Sequence, residues 1–442
     1  MRTPTLTHLA RASVLALGLG PLCCGNVLAA TDAERIADLE QKLQSSLSQL
    51  QSLAARLSEI EKTKLAAATA SSAPASTPEQ ESRIESLERN LAQITDAASR
   101  ADNSSQGLPM HGFTDVGYVG SKIKNPDGRN SGFTLGNLDF YLTPQFGNNV
   151  KSLMELNFEW ASDGSLTTDL ERMQLGYTYN DELTVWVGRF HTPYGYWNTA
   201  FHHGAQLQTS VLRPRMIAFE DQGGILSAHS VGMWATGQTR AGDGKLGYDA
   251  YIANGSRIQA GIVDFNAVRD DNSNKMVGGN LNYRFGGAAD GLVLGLHGYN
   301  EVVSAYDANG LFQSSSKVNM YGGYGFYDAN DWEIISEYYG FHNNNLTGVA
   351  GNHSSWAGFL QVGKLLWGNT TPYARWEKAQ LSATDNYFAA MTNGSSYTRG
   401  VLGVRYDLSP KTAVKVDVSH TRDAANGGEN YNTVQAQFAV RF

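Results

Sequence analysis

Cysteine is all but missing from this chain. The two present, Cys23 and Cys24, lie within the first 29 residues. That stretch carries Arg2 and Arg11, the apolar run Val14–Leu22, and then Val27-Leu28-Ala29. It reads as a secretory signal cleaved after Ala29, too short to span a membrane as a helix. Leu22 before Cys23 replaces the small residue that lipidation needs. The remaining chain has no thiol, which excludes a disulfide framework, a thiolate metal site and a cysteine nucleophile. An excess of basic charge is also missing. The formal net charge is −8, and losing Arg2 and Arg11 takes it two units lower, which argues against a nucleic-acid partner. After the signal no segment reaches the ~18 consecutive apolar residues of a membrane helix. Aromatics are absent as far as Gly112; the first is Phe113. Such a break in composition marks a domain boundary.

What the aromatic-free part does contain is a narrow apolar stripe. Ile36, Leu39, Leu43, Leu50, Leu53, Leu57 and Ile60 step by three and four, with Ser46 at the one polar seam position. Four heptads at this spacing predict a coiled coil over 30–65, and Leu and Ile at the seam suit three or more strands. An Ala/Ser/Pro linker covers 66–78. The spacing resumes over 79–101 as a second helical segment, and a short linker follows at 102–109.

From Met110 to Phe442 the pattern changes to period two, in segments of about ten residues. Apolar columns predicted to face outward include Leu138/Phe140/Leu142, Met173/Leu175/Tyr177, Val318/Met320/Gly322/Tyr324/Phe326 and Val414/Val416/Val418. Turn residues at Gly147-Asn148-Asn149, Asn180-Asp181, Gly286–Asp290, Ala329-Asn330, Gly368-Asn369 and Ser409-Pro410 alternate with long polar connections. Abundant Gly, Tyr and Phe with moderate apolar content suit strands that are wet on one face only. The expectation is an all-β fold: a 16-stranded antiparallel transmembrane β-barrel over 110–442, preceded by the α-helical coiled coil. An even strand number puts both barrel ends on the periplasmic side with the stem, and sixteen strands leave an aqueous lumen. Tyr179, Trp186, Trp332, Trp367, Tyr397 and Tyr406 at strand ends read as interfacial girdles.

The last strand supports the same architecture. Val434, Ala436, Phe438, Val440 and Phe442 alternate with Thr433, Gln435, Gln437 and Arg441. A soluble sheet seldom leaves such an edge at its end, whereas a closed barrel needs one to meet its first strand. Phe438, Val440 and the terminal Phe442 resemble the signal by which outer-membrane barrels are read by the barrel-assembly machinery.

The longest connection, His191–Ser227, follows the fifth strand. It holds His191, His202, His203, Arg213 and Arg215 against Glu220 and Asp221, besides many aromatics. A freely moving loop has no use for those rings, so it is expected to fold against the lumen wall. In strand count, loop position, Gly188-Arg189 closing the fifth strand and the terminal Phe, the chain resembles trimeric general porins of bacterial outer membranes. Phe219-Glu220-Asp221-Gln222-Gly223-Gly224 resembles the acidic, glycine-bearing tip of their constriction loop. The coiled coil is similar to that of a porin subgroup including dicarboxylate-type and phosphate-selective channels. The resemblance implies a homotrimer in outer-membrane lipid. It also implies a passive channel for small hydrophilic solutes, with the third outer loop as constriction.

Inward-facing charge is mixed. Acids are Asp139, Glu155, Glu159, Glu337, Glu377 and Asp417; bases are Arg172, Arg189, Arg375, Arg405, Lys415 and Arg441. They serve either as local cross-strand pairs, Glu159 with Arg172 for one, or as a transverse field that orients solutes. With histidine neutral the loop balances two charges against two; it turns positive as pH falls through ~6.5, which predicts an anion lean. Adjacent His202 and His203 point apart in extended chain, so no metal is assigned, nor any cofactor. Two other functions fit less well. A structural barrel tethered by its coiled coil need not conduct ions. A phospholipase-like enzyme barrel needs a Ser/His pair on the outer face, and His420 has no serine with an evident role beside it.

Overall fold

The structure, a computed structural model, describes residues 110–121, 131–160, 164–201, 204–219, 223–264, 270–424, 428 and 430–442. The signal segment, the coiled-coil seam, both linkers and the loop residues His202, His203, Glu220 and Asp221 lie outside the described residues.

Strands begin at β1 (Met110–Ser121), β2 (Gly132–Leu142), β3 (Val150–Trp160) and β4 (Leu166–Asn180). Next come β5 (Leu183–His191), β6 (His229–Ala241) and β7 (Gly244–Asn254). A small hairpin, β8 (Arg257–Gln259) and β9 (Ile262–Val263), sits in the following loop. The series continues with β10 (Lys275–Arg284), β11 (Leu292–Tyr306), β12 (Phe312–Ala329) and β13 (Trp332–Asn345). It ends with β14 (Gly351–Lys364), β15 (Thr370–Gln380), β16 (Tyr397–Ser409), β17 (Thr412–Asp423) and β18 (Asn430–Arg441). Each barrel strand pairs antiparallel with the next, β7 pairs β10 past the hairpin, and β18 returns to β1. Leaving out β8 and β9, sixteen strands close the barrel.

Closure is a β1–β18 ladder running from Phe113 opposite Arg441 to Ser121 opposite Thr433, and the chain's last residue extends it. Gly112 donates to the Phe442 carbonyl at 3.1 Å and accepts from its N–H at 3.0 Å. The Phe442 ring lies where a Cβ on residue 112 would stand, so only glycine seats it there. The ring meets Phe140 edge-on at 5.9 Å. Phe438 and Phe442 are exposed on the outer face, Val440 half-buried.

Short turns gather at one rim and long connections at the other. Asn330 and Asp331 link β12 to β13 with φ of 53° and 65°, the left-handed pair whose twist suits a two-residue hairpin. The Gly242-Asp243 turn between β6 and β7 was not among the turns foreseen from sequence.

One predicted column is reversed. Val318 is 0% and Met320 2% exposed, while Tyr321 between strands' inner positions is 54% exposed. The Val318–Phe326 series therefore points inward. Its apolar character matches an apolar filling of the lumen: Phe326 stacks on Tyr196 of the β5–β6 connection at 4.1 Å. Periodicity gives the alternation but not which face is wet. Of the girdle aromatics, Tyr397 is likewise buried inside, under the Arg215 guanidinium at 4.5 Å, and Trp186 stacks on Trp234.

Two short helices matter for the lumen. α1 (Trp197–Ala200) lies in the β5–β6 connection and α2 (Asn386–Ala389) in the β15–β16 connection.

Candidate functional site

The β5–β6 connection, residues 192–228, folds against the inner faces of β11, β13 and β15–β17. An irregular loop taken out of water must find partners for its backbone N–H and C=O groups. The wall supplies them by charge. Its acids take loop amides: Glu337 Oε1 accepts from Tyr196 N at 2.8 Å and Trp197 N at 2.6 Å. Asp417 Oδ2 accepts from Val211 N at 3.2 Å, and Glu377 Oε2 from Arg215 N at 2.7 Å.

Its bases serve loop carbonyls. Arg375 donates to Leu212 O at 2.8 Å, Arg213 O at 3.3 Å and the Ser210 hydroxyl at 2.7 Å. Arg405 donates to Gln206 O at 2.7 Å and Gln208 O at 3.0 Å. Lys415 donates to Ala205 O, and to Ser210 O at 3.2 Å. Two of these bases also pair with acids of their own strands, Arg375 with Glu377 at 2.9 Å and Arg405 with Asp407 at 2.7 Å.

The loop runs deep. Gln206 Nε2 donates to Pro410 O, in the β16–β17 turn, at 3.2 Å, and the Thr209 hydroxyl to Glu333 at 2.8 Å, beside the β12–β13 turn. Both partners belong to the short-turn rim, opposite the loop's roots. Phe190, Tyr194, Trp197, Met216, Ile217 and Leu226 are fully buried with Tyr339 and Phe341 of the wall. Burial pushes the Tyr196 hydroxyl up to about 12, against the pull of Arg284. α2 closes over this cluster: the Tyr387 hydroxyl donates to Ile225 O at 2.7 Å, and Phe388 meets Phe341 edge-on. Asp385 caps α2 by accepting from Tyr387 N at 3.0 Å; burial holds its carboxyl above the usual range.

At the loop's roots the predicted Glu159–Arg172 pair is not made. The β3–β4 register sets Glu155 opposite Arg172 and Glu159 opposite Thr167, with a bulge just beyond Glu155. Arg172 pairs with Glu155, which also lies 3.5 Å from His191 Nε2. Glu159 accepts instead from Asn157 at 2.8 Å. Arg189 donates to Glu171 O at 3.0 Å, and His229, which sequence reasoning passed over, pairs with Glu171 at 2.7 Å. Asp139 is buried opposite Asn157, and Arg441 stands half-buried opposite Phe113. Arg213 donates to Ile217 O at 2.9 Å and covers the Phe219 ring at 3.9 Å, while Arg215 pairs with Asp423 at 2.6 Å.

Across the lumen, β1–β3 and β18 face the loop. Between them lies a cavity of about 260 Å³, lined on the wall by Asp115, Asn137, Glu159, Gln435 and Gln437 and on the loop by Gln208, Arg213 and Phe219 among others. Gln435 and Gln437 were read from sequence only as the wet face of the last strand, and Asp115, Asn137 and Gln208 were not singled out. The odd-numbered alternation of β1 could have shown Asp115.

No family model matches this sequence, and no curated protein does. Solved structures do. An anion-selective porin from Comamonas acidovorans is similar with a TM-score of 0.53 and 14% identity, over 76% of this chain and 99% of that one. A loop L8 deletion mutant of OmpT, an outer membrane protein of Vibrio cholerae, gives 0.50 and 12%, over 76% and 99%. OmpT expressed in the outer membrane of Vibrio cholerae gives 0.50 and 10%, over 76% and 97%. The fold is that of the porins. At these identities the likeness is one of fold alone, and the porin fold here carries its own loop chemistry.

Proposed function

We propose that this chain is a bacterial outer-membrane porin, a passive water-filled channel for small hydrophilic solutes, with residues 192–228 as its constriction. The observation that carries the reading is the loop itself: it lies inside a closed sixteen-strand barrel, tied to one wall by Glu337, Arg375, Arg405 and Lys415. Apolar side chains such as Leu402, Val416 and Phe438 on the outer face support a lipid surround. The reading assigns no reaction. The described Ser/His contact on the outer face, His342 Nδ1 to Ser354 at 3.4 Å, is exposed and too long to activate a nucleophile. The anion lean expected from the loop histidines turns on His202 and His203, which lie outside the described residues, and the Arg213 and Arg215 guanidiniums are both engaged; no charge preference is written into this proposal.

The test is single-channel recording of the purified full chain in planar bilayers. Stepwise ohmic conductance is expected, and barrels that insert without conducting would leave the tether reading in its place. The same preparation tests the homotrimer with a periplasmic stem. Deleting residues 31–105 should keep the barrel folded but lower the temperature at which the oligomer dissociates on native gels; an unchanged profile would count against the stem.

A further inference from the structure

We propose that the cavity between the loop and the β1–β3/β18 wall is a binding station for a small organic cation bearing ammonium or guanidinium groups. The proposal rests on the channel reading above. The first observation is Asp115. It sits at a register slip, where β1 pairs Thr114 with Leu138 and Val116 with Leu135, leaving Asp115 without a β2 partner residue. Bulges re-aim side chains, and this one turns the carboxylate over Gly136 toward the cavity. There Asp115 is held by Asn137 N at 3.2 Å and Gln437 Nε2 at 2.9 Å. Glu159 adds a second carboxylate to the same lining.

The second observation is a surplus of acceptors. Gln208 Oε1, Gln435 Oε1 and Gln437 Oε1 are buried with no donor, and Gln208 and Gln435 are at least nine-tenths buried. The Gln437 amide is oriented by its bond to Asp115, so its oxygen is the end left over. A buried acceptor without a donor is costly, and a ligand rich in N–H groups relieves it. The third observation is where the nearby bases point. Lys415 donates to Ala205 O and Ser210 O, Arg405 to Asp407 and loop carbonyls, and Arg213 to Ile217 O. Arg213 itself lines the cavity, its Nε turned to Ile217 O and its guanidinium over the Phe219 ring, so one cation stands there against two carboxylates and the unpartnered amide oxygens.

Blocking of single channels by putrescine, with succinate as a dianion of similar length and 1,4-butanediol as a neutral control, tests this on the full chain. Putrescine should interrupt the current in a concentration-dependent way, and the other two should do so far more weakly. The Asp115→Asn/Glu159→Gln double variant should raise the blocking concentration about ten-fold or more, the size of ~1.4 kcal/mol of lost attraction. Gln208→Glu, which adds a carboxylate from the loop side, should lower it. Heat-dependent gel mobility checks that each variant is folded. Equal block by succinate, or putrescine block unchanged in both variants, would overturn the station while leaving the channel. Absence of any ion current would overturn the channel reading, and the station with it.

Discussion

On the β13–β17 side of the lumen, Glu337, Arg375, Glu377, Arg405, Lys415 and Asp417 all end on atoms of the inserted loop or on one another. On the β1–β3 side, Asp115 and Glu159 line a cavity. Both walls carry inward charge, and from sequence both look like one field across a pore. The difference comes from what each wall faces. A loop with little secondary structure presents bare amides and carbonyls, and a row of alternating acids and bases is the complement of that backbone. The wall that meets it uses its charge for attachment. On the opposite wall two carboxylates stand at the edge of a cavity.

The comparison breaks most visibly at Arg375. Its guanidinium is wholly buried and bridges Glu377, Gln361, Ser210, Leu212 and Arg213. Arg375→Ala removes the buried counter-charge of Glu377, which keeps the Arg215 amide, and takes this donor from two loop carbonyls, a loss of about 3–5 kcal/mol. The barrel ladder is untouched, so the loss falls on the loop. Higher and noisier single-channel conductance is expected, with new protease cleavage within residues 204–219. Wild-type conductance and protection in this variant would mean that the wall charges do not hold the loop.

How much of this was legible beforehand depends on the kind of signal. Strand number, the long-short alternation and barrel closure follow from local periodicity and turn residues, and the chain carries these in plain form. Facing is a tertiary property. The Val318–Phe326 column was read as lipid-facing because lipid is the usual partner of an apolar column, whereas here Tyr196 and its neighbours fill that part of the lumen. The Glu159–Arg172 pairing failed because β4 begins at Leu166, close after β3, so the register counted from that connection already sets Glu159 opposite Thr167 before the bulge is reached. The wall charges end on loop backbone atoms some 140 to 210 positions away, and no sequence pattern encodes those.

The open wall is also where the barrel closes, so a change at the seam tests whether the two sides are independent. Phe442→Asp removes the ring contact with Phe140, worth about 0.5–1.5 kcal/mol, and sets a carboxylate on the lipid face near an interface, where the cost is ~1 kcal/mol or less. Lower outer-membrane abundance is expected by cell fractionation, while protein that does assemble should keep wild-type protease protection of the loop. Loss of that protection would show that seam and loop are coupled.

Gly136→Ala should have the smallest effect, and it isolates the open wall. A Cβ at this position would overlap the Asp115 carboxylate. The obstacle is the end of a short flexible side chain, not backbone, so β2 can accept the methyl group with a stability change of roughly 1 kcal/mol or less. Asp115 must turn away, however, and its bonds to Asn137 N and Gln437 Nε2 loosen. Every contact between the loop and β13–β17 is left as it was. Unchanged single-channel conductance is therefore expected together with a putrescine block weakened several-fold, less than in the Asp115→Asn/Glu159→Gln double variant because the charge is moved and not removed. A change in loop protection would show that the two walls share their load through the loop. A block as strong as in the wild type would mean that the position of Asp115, as distinct from the net charge of the lumen, has no part in holding the cation.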